Sequence, residues 1–324
     1  MGNDLAPGDV VHRDFEVHAL VGRGAFSTVY RAAQRSRKDR PVALKILHSG
    51  IQQQLEARAG HVKNPYHKEQ LLCHRLRDPA ICRIVKVGTT DAGRYFSATE
   101  WAPGVTIDRF LSLQKGRPVD VVLVAAVIEQ VARALAEMHQ HRVVHRDIKP
   151  SNLMIDGVGE AVRVRILDFG IAKLLGENDT VQSADDFLVG TPAYMAPEQA
   201  AGRMTDARTD IYGLASVAYE LLSGKRPIQL EVRGVRSPDD YVAYLLGKAP
   251  IPTVPIAELR PELPPEVAQH LNRSLARDWN ARPRDVLGLS GIVVDGLRAA
   301  APAPERALTR LWTTLKSLAG RRSP

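Results

Sequence analysis

The first hundred residues alternate apolar and polar positions in short runs broken by glycine, the period-two signature of half-buried strands. "VVHRDFEVHALVGRG" and "STVYRAAQRS" read as two antiparallel strands joined by a glycine turn, and "RPVALKIL" as a third. "ICRIVKVGTT" and "GRYFSATEW" add two more. Between them "PYHKEQLLCHRL" has helical spacing, with Leu71, Leu72 and Leu76 on one side. From residue 119 onward the period changes, and helices are expected over 119–141, 207–223, 237–247 and 265–277. Strands first and helices afterwards predict an α+β chain of two lobes, a small antiparallel sheet followed by a larger, mainly helical part. The expected divisions are a lead-in over 1–11, a first lobe over 12–101, a second over 102–290 and a linker over 291–304, which contains most of "AAAPAPE". Residues 305–324 then repeat Leu308, Leu311, Trp312, Leu315 and Leu318 at helical spacing among Arg306, Arg310, Lys316, Arg321 and Arg322, a basic amphipathic helix.

Composition narrows the class. The chain has 324 residues, 44% hydrophobic and 25% charged, which is ordinary for a globular protein large enough for two lobes. Cys73 and Cys82 are too few for a disulfide framework, and a reducing cytoplasm fits. The longest apolar run, "VVLVAAVI", falls short of the ~20 residues that span a bilayer and continues into a helical pattern, so it reads as a buried core helix, and no transmembrane segment is expected. The N-terminus lacks a secretory pattern, and Ala6 stands where a myristoylation motif needs Ser or Thr. The net charge of +8 is dispersed among few aromatics, so no nucleic-acid partner is expected.

Several short stretches carry candidate chemistry. In "VGRGAFSTVY", Gly22 and Gly24 allow a turn between strands to lay backbone N–H groups over phosphate oxygens. Lys45 in "VALK" stands among apolar strand residues and needs an anion, either phosphate or carboxylate. The carboxylate expected is Glu69 on the following helix, with Glu56 as the alternative. In "HRDIKPSN", Pro150 excludes a helix interior, leaving a loop that gathers Asp147, Lys149 and Asn152 behind His145 and Arg146. "RILDFG" ends an apolar strand on Asp168. With Asn152 it offers the carboxylate and amide oxygens that Mg²⁺ takes together with phosphate.

These parts occur in one chain order, followed by "GTPAYMAPEQ", and over residues 12–285 the chain resembles the eukaryotic-like bacterial serine/threonine protein kinases. The resemblance implies the bilobal protein-kinase fold, with one αC helix beside the N-lobe sheet, and transfer of the ATP γ-phosphoryl group to Ser or Thr hydroxyls of proteins. It implies Asp147 as the base, Lys149 beside it as the Ser/Thr signature, Lys45 on the phosphates with Glu69, and Mg²⁺ (or Mn²⁺) on Asn152 and Asp168. ATP would lie against Val21, Gly22, Gly24, Val29, Ala43 and Met154, bonded by the backbone of Glu100 and Ala102 after the gatekeeper Thr99. Thr191 would shape the acceptor platform, Glu198 would pair with Arg282, and Asp210 would brace the catalytic loop.

Arg146 before the base implies control by phosphorylation of the 168–198 loop, with Thr180 and Ser183 as phosphosites and Asp185 and Asp186 as partial mimics. Protein substrates, a cognate phosphatase and a homodimer for trans-autophosphorylation are the partners this reading adds. The chain departs from the family pattern at Ser27 and Ala215, where glycine is usual, and in a long stretch before Glu69; none removes a catalytic group. A nucleotide-binding scaffold would lack the lysine, the base or Asp168, and a small-molecule kinase would lack "GTPAYMAPE".

Overall fold

A computed structural model describes residues 5–24, 26–59, 64, 66, 70, 74–157, 161–168, 194–228 and 254–301. Two compact units emerge. Of the described residues, one unit runs to Arg77 and resumes over Ile81–Ala102; the other contains Asp78–Ala80 and the described residues from Pro103 onward.

The first unit is a six-stranded sheet: β1 (Val10–Val11), β2 (Phe15–Arg23), β3 (Ser27–Gln34), β4 (Arg40–Leu47), β5 (Ile84–Thr89) and β6 (Tyr95–Glu100), in the order β1-β2-β3-β4-β6-β5 with antiparallel neighbours. Its apolar face follows from alternation: Phe15, Val17, Tyr30, Ala32, Val42, Leu44, Ile46, Phe96 and Ala98 form one buried cluster. The stretch expected as one strand, "VVHRDFEVHALVGRG", is broken at His12 and Arg13, both at positive φ (52° and 59°). That backbone suits a tight hairpin turn and lacks the Asn-Gly signal that usually announces one. The lead-in is also part of the sheet rather than a tail. Val11 is buried, Gly8 N donates to Val17 O at 2.8 Å, and Leu5 N donates to Tyr30 Oη at 3.2 Å.

In helix α1 (Ser49–Ala59) apolar residues are a minority, and side-chain hydrogen bonds help fasten it. Gln52 donates to Gly93 O and accepts from Tyr95 N, each at 2.9 Å, which clamps it to the β5–β6 turn. Beyond it Tyr66 and Gln70 are helical.

The second unit carries a three-stranded sheet, β7 (Val105–Thr106), β8 (Leu153–Asp156) and β9 (Arg163–Ile166), and the helices α2 (Ile107–Gln114), α3 (Val121–Gln140), α4 (Pro197–Ala200), α5 (Ala207–Ser223), α6 (Ile256–Leu259), α7 (Pro265–Ser274) and α8 (Val286–Ala299). α3 and α5 are its core. "VVLVAAVI" opens α3, as expected of a buried helix, and every residue of α5 from Thr209 to Ser223 is buried. Asp120 caps α3 by accepting from Val122 N at 2.9 Å, and α5 stops at Gly224, whose φ of 70° only glycine adopts easily. Among the described residues no helix is long and apolar enough to cross a membrane. The expected helix over 237–247 and the basic helix over 305–324 lie outside the described residues.

The expected linker over 291–304 requires a correction, because α8 continues through it to Ala299. Val286, Leu289, Val293, Val294 and Leu297 are buried, and Asp285 caps the helix on Gly288 N at 2.7 Å. Glycine is a poor helix former, yet Gly296 is there for close packing on α7: a Cβ would lie 2.3 Å from Val267 Cγ2. Packing overrides propensity. Leu297→Ala should therefore lower the unfolding free energy by about 2–5 kcal/mol. Arg298→Ala, which breaks an exposed pair with Glu129, should cost at most about 1 kcal/mol. Urea denaturation of both variants checks this, and equal small effects would mean that the helix does not belong to the core.

Candidate active site

The sheet unit presents its candidate residues on one face. Strand register pairs Val29 with Gly22 and with Lys45, Lys45 with Ser97, and Ala43 with Thr99. Directly opposed residues share a face, so these side chains stand on the side of the sheet away from the apolar cluster. Lys45 thus lies between the buried Leu44 and Ile46, as alternation requires, and points to the other face. Val21 falls at a bulge in β2 and is an exposed apolar residue.

Gly22 and Gly24 have no positive φ, nothing lies within 4 Å of a Cβ placed on Gly22, and Gly24 would meet only Ser27 O at 3.6 Å. The fold itself does not demand glycine there, which suits residues kept small for a ligand. Ser27, in place of a third glycine, is a buried first residue of β3, paired with Leu47.

At the end of β6, Glu100 N donates to Arg83 O at 2.9 Å, so its N–H is already engaged. The Glu100 carboxylate is held by Arg40 at 2.6 Å, and Ala102 is buried. Arg31 stacks on Trp101 at 5.4 Å, a contact that no motif announced. Glu69 lies outside the described residues. The alternative, Glu56, is exposed on α1 and accepts from Gln52 at 2.9 Å.

The helical unit builds its site around one carboxylate. Asp210, buried near the start of α5, accepts from His145 N (2.9 Å), Arg146 N (2.7 Å) and His139 Nε2 (2.8 Å). Arg146 adopts a φ of 65° in this turn. His145 faces inward, with Nε2 3.2 Å from Leu167 O; a carbonyl only accepts, so Nε2 carries the proton and Nδ1 accepts from Asp147 N at 3.3 Å. Burial lowers the His145 pKa, outweighing the pull of Asp210 and Asp147, so the ring is neutral in this arrangement.

Asp147 then receives two donors on one oxygen: Lys149 Nζ and Asn152 Nδ2 each lie 2.8 Å from Oδ2. Asn152 Nδ2 also donates to Asp147 O at 2.9 Å, which occupies both amide hydrogens and leaves Oδ1 as the amide's acceptor. Leu167 N donates to Asn152 O at 2.8 Å, and Leu153 pairs with Ile166 across β8 and β9. That register brings Asp168 beside the loop, exposed and at a φ of 44°. An amide oxygen and a carboxylate fit Mg²⁺. Met154, half-buried on β8, pairs with Arg165.

Two further supports sit behind the loop. The Glu198–Arg282 pair is present, bidentate at 2.8 and 2.9 Å and almost wholly buried; Arg282 also donates to Ala276 O and Arg208 O. Gln199 reaches from α4 to Arg146 O at 2.8 Å. Sequence reasoning missed Gly213. A Cβ there would lie 2.8 Å from Ile148 O, so α5 touches the backbone between Asp147 and Lys149 only because residue 213 has no side chain. A glycine one turn after Asp210 in a good helix was the available signal. Thr180, Ser183 and Thr191 lie outside the described residues, as do Phe169 and Gly170.

The sequence model of the protein kinase domain matches residues 15–284. The chain belongs to the protein kinase family. Over 312 residues, 96% of this chain and 42% of the relative, it is 33% identical to the DNA damage-responsive serine/threonine-protein kinase RqkA of Deinococcus radiodurans. Over 264 residues, 82% of this chain and 37% of the relative, it is 28% identical to the serine/threonine-protein kinase PrkC of Bacillus subtilis. Its fold matches the crystallised kinase domain of Mycobacterium tuberculosis PknI with a TM-score of 0.68 at 23% identity, covering 91% of this chain and 100% of that one. The bilobal kinase fold expected from the sequence is therefore the one found. The kinase spans less than half the length of these two curated relatives.

Gly213→Ala should displace the Ile148 backbone and with it Asp147, costing about 1–3 kcal/mol of stability and lowering any phosphoryl-transfer kcat by about 10- to 100-fold; steady-state kinetics at a temperature where the variant is fully folded, beside thermal unfolding, separate the two. His145 gives a pH signature. Unfolded, the ring titrates near 6.5, and folded its pKa is lowered, so the unfolded chain binds more protons below 6.5. Its contribution is complete above that pH and is lost as pH falls toward the folded value. Urea midpoints should drop between about pH 7.5 and pH 5.5, and the drop should be shallower in His145→Gln.

Proposed function

We propose that this kinase transfers the γ-phosphoryl group of ATP to Ser and Thr hydroxyls of proteins, including its own activation loop, in a signalling role. The observation that carries the reading is the Asp147 carboxylate with Lys149 and Asn152 both on Oδ2. An acid gripped at one oxygen and set on a rigid loop is oriented to accept a proton, and its charge is balanced by a lysine beside it.

The substrate hydroxyl oxygen bonds to the γ-phosphorus as the bond to the β,γ-bridging oxygen breaks. The bridging oxygen keeps the electron pair and leaves on ADP, and the hydroxyl proton passes to Asp147. Lys149 neutralises charge on the transferring group, and Lys45, paired with Glu69, holds the α- and β-phosphates. Asn152 through Oδ1 and Asp168 through its carboxylate would hold Mg²⁺, or Mn²⁺ in its place. When bound, the metal supplies charge neutralisation at the phosphates.

On the sheet face Val21, Val29 and Ala43 would meet the adenine, with the backbones of Glu100 and Ala102 bonding its edge. Gly22 and Gly24 would cover the phosphates. Thr191 would shape the acceptor platform, and phosphate on Thr180 or Ser183 would pair with Arg146. Protein substrates, a cognate phosphatase and transient pairing of two copies for trans-autophosphorylation belong to this reading. So does a cytoplasmic location.

Incubation with Mg-ATP, wild type beside Asp147→Asn, should give phosphate on Thr180 or Ser183 in the wild type. The Asn variant should be slower by at least about a hundredfold. Mass spectrometry maps the sites; ATP binding without transfer in either protein would replace this reading with that of a nucleotide-binding scaffold.

A further inference from the structure

Among the described residues two Arg–Glu pairs adjoin the stretch from Tyr194 to Ala200, and they are built differently. Arg282 is closed: its guanidinium is wholly buried, bidentate to Glu198, with further bonds to backbone carbonyls. Arg226, just past the end of α5, is open. Its Nε stands 3.7 Å from Glu220 Oε1, outside hydrogen-bond distance, and its side chain is 47% exposed.

The other side of this pair is capped by Tyr194. The Tyr194 hydroxyl donates to Glu220 Oε2 at 2.5 Å, and Arg226 lies over the Tyr194 ring at 5.8 Å. Burial raises both the Glu220 carboxyl and the Tyr194 hydroxyl above their ordinary pKa values, so the phenol remains the donor. The charged groups that act on the pair are Arg226 itself and Asp108, which is exposed on α2. Glu220 is therefore masked from solvent by a tyrosine and an arginine, and the group left facing water is the cation.

Tyr194 belongs to the segment that leads into α4, and that segment is tied to the catalytic loop by Gln199 on Arg146 O, one residue from Asp147. The same segment is where the proposed function puts the acceptor platform, and the inference rests on that reading. We propose that Arg226 is a specificity-determining residue: it receives a carboxylate side chain of the protein substrate near the acceptor Ser or Thr. A planar guanidinium that is stacked on an aromatic ring and half in water is pre-organised for a carboxylate. A basic residue in the same place would meet like charge, with Glu220 buried behind it.

The test uses the full chain and peptides that differ only in the residues flanking one acceptor serine: glutamate, glutamine or lysine. Wild type should show a several-fold lower KM for the glutamate peptide than for the lysine peptide. In Arg226→Ala the ratio of the two KM values should collapse toward one, in Arg226→Lys it should persist, and in Arg226→Glu it should invert. Because the readout is a ratio within each variant, a general loss of activity does not imitate the effect, and Arg226→Gln, which keeps the bulk of the half-exposed side chain, carries the test if Arg226→Ala does not fold. Transfer with no charge preference, or a preference that Arg226→Ala leaves intact, overturns this inference alone. No transfer to any peptide or to the chain itself overturns the kinase reading and this inference with it.

Discussion

A carboxylate buried at the start of α5 sets the geometry of everything proposed to be catalytic in the helical unit. Removing an ionised Asp210 from water costs several kcal/mol, and the fold offsets that cost with three N–H donors, each worth roughly 1.5–3 kcal/mol when the acceptor is charged. Two of them are the successive backbone amides of His145 and Arg146. Two adjacent amides can face one carboxylate only if the chain turns sharply there, and the turn sends His145 inward and Asp147 outward. His145 in turn meets Leu167 O, beside Asp168. One buried acid thus registers the base-bearing loop against the strand that ends at Asp168.

The backbone at positive φ tells the same story. Among the described residues it occurs outside glycine at His12, Arg13, Lys38, Asp39, Lys115 and Arg142, all in turns or just past helix ends, and also at Arg146 and Asp168. The first six are tolerated because a turn requires them. The last two sit in the cluster around Asp147, where strain of order 1 kcal/mol or more persists only if neighbours over-determine the conformation. Arg146 is held by Asp210 on its N–H and by Gln199 on its carbonyl.

Strand alternation made the sheet legible in the sequence, because a period of two fixes which residues are buried; the face shared by Val29, Ala43 and Lys45 emerged only from the strand register. The catalytic loop was legible for a different reason: its residue types at fixed intervals match a known family. What escaped were features decided by tertiary contact. The turn at His12–Arg13 uses residues that do not favour positive φ, the glycine-rich α8 forms because α3 and α7 cover its apolar side, and α1 is fastened in part by Gln52. Gly213 escaped because its role is to bring no side chain to a close contact, and Arg226 because its surroundings include Tyr194, which is distant in the chain.

The two Arg–Glu pairs show how one chemistry yields opposite consequences through burial. At Glu198 the guanidinium is saturated, and removing either partner would strand a charge in the core; such a pair fixes structure and can do little else. At Glu220 a tyrosine hydroxyl takes one carboxylate oxygen, so the acid no longer needs the arginine as a direct hydrogen-bond donor. The ion pair that remains at 3.7 Å and the Tyr194 ring, 5.8 Å from the guanidinium, position Arg226 with contacts longer than an ordinary hydrogen bond. A cation positioned by weak contacts at the edge of a rigid segment is suited to reversible recognition, because binding a new anion requires no existing short hydrogen bond to break.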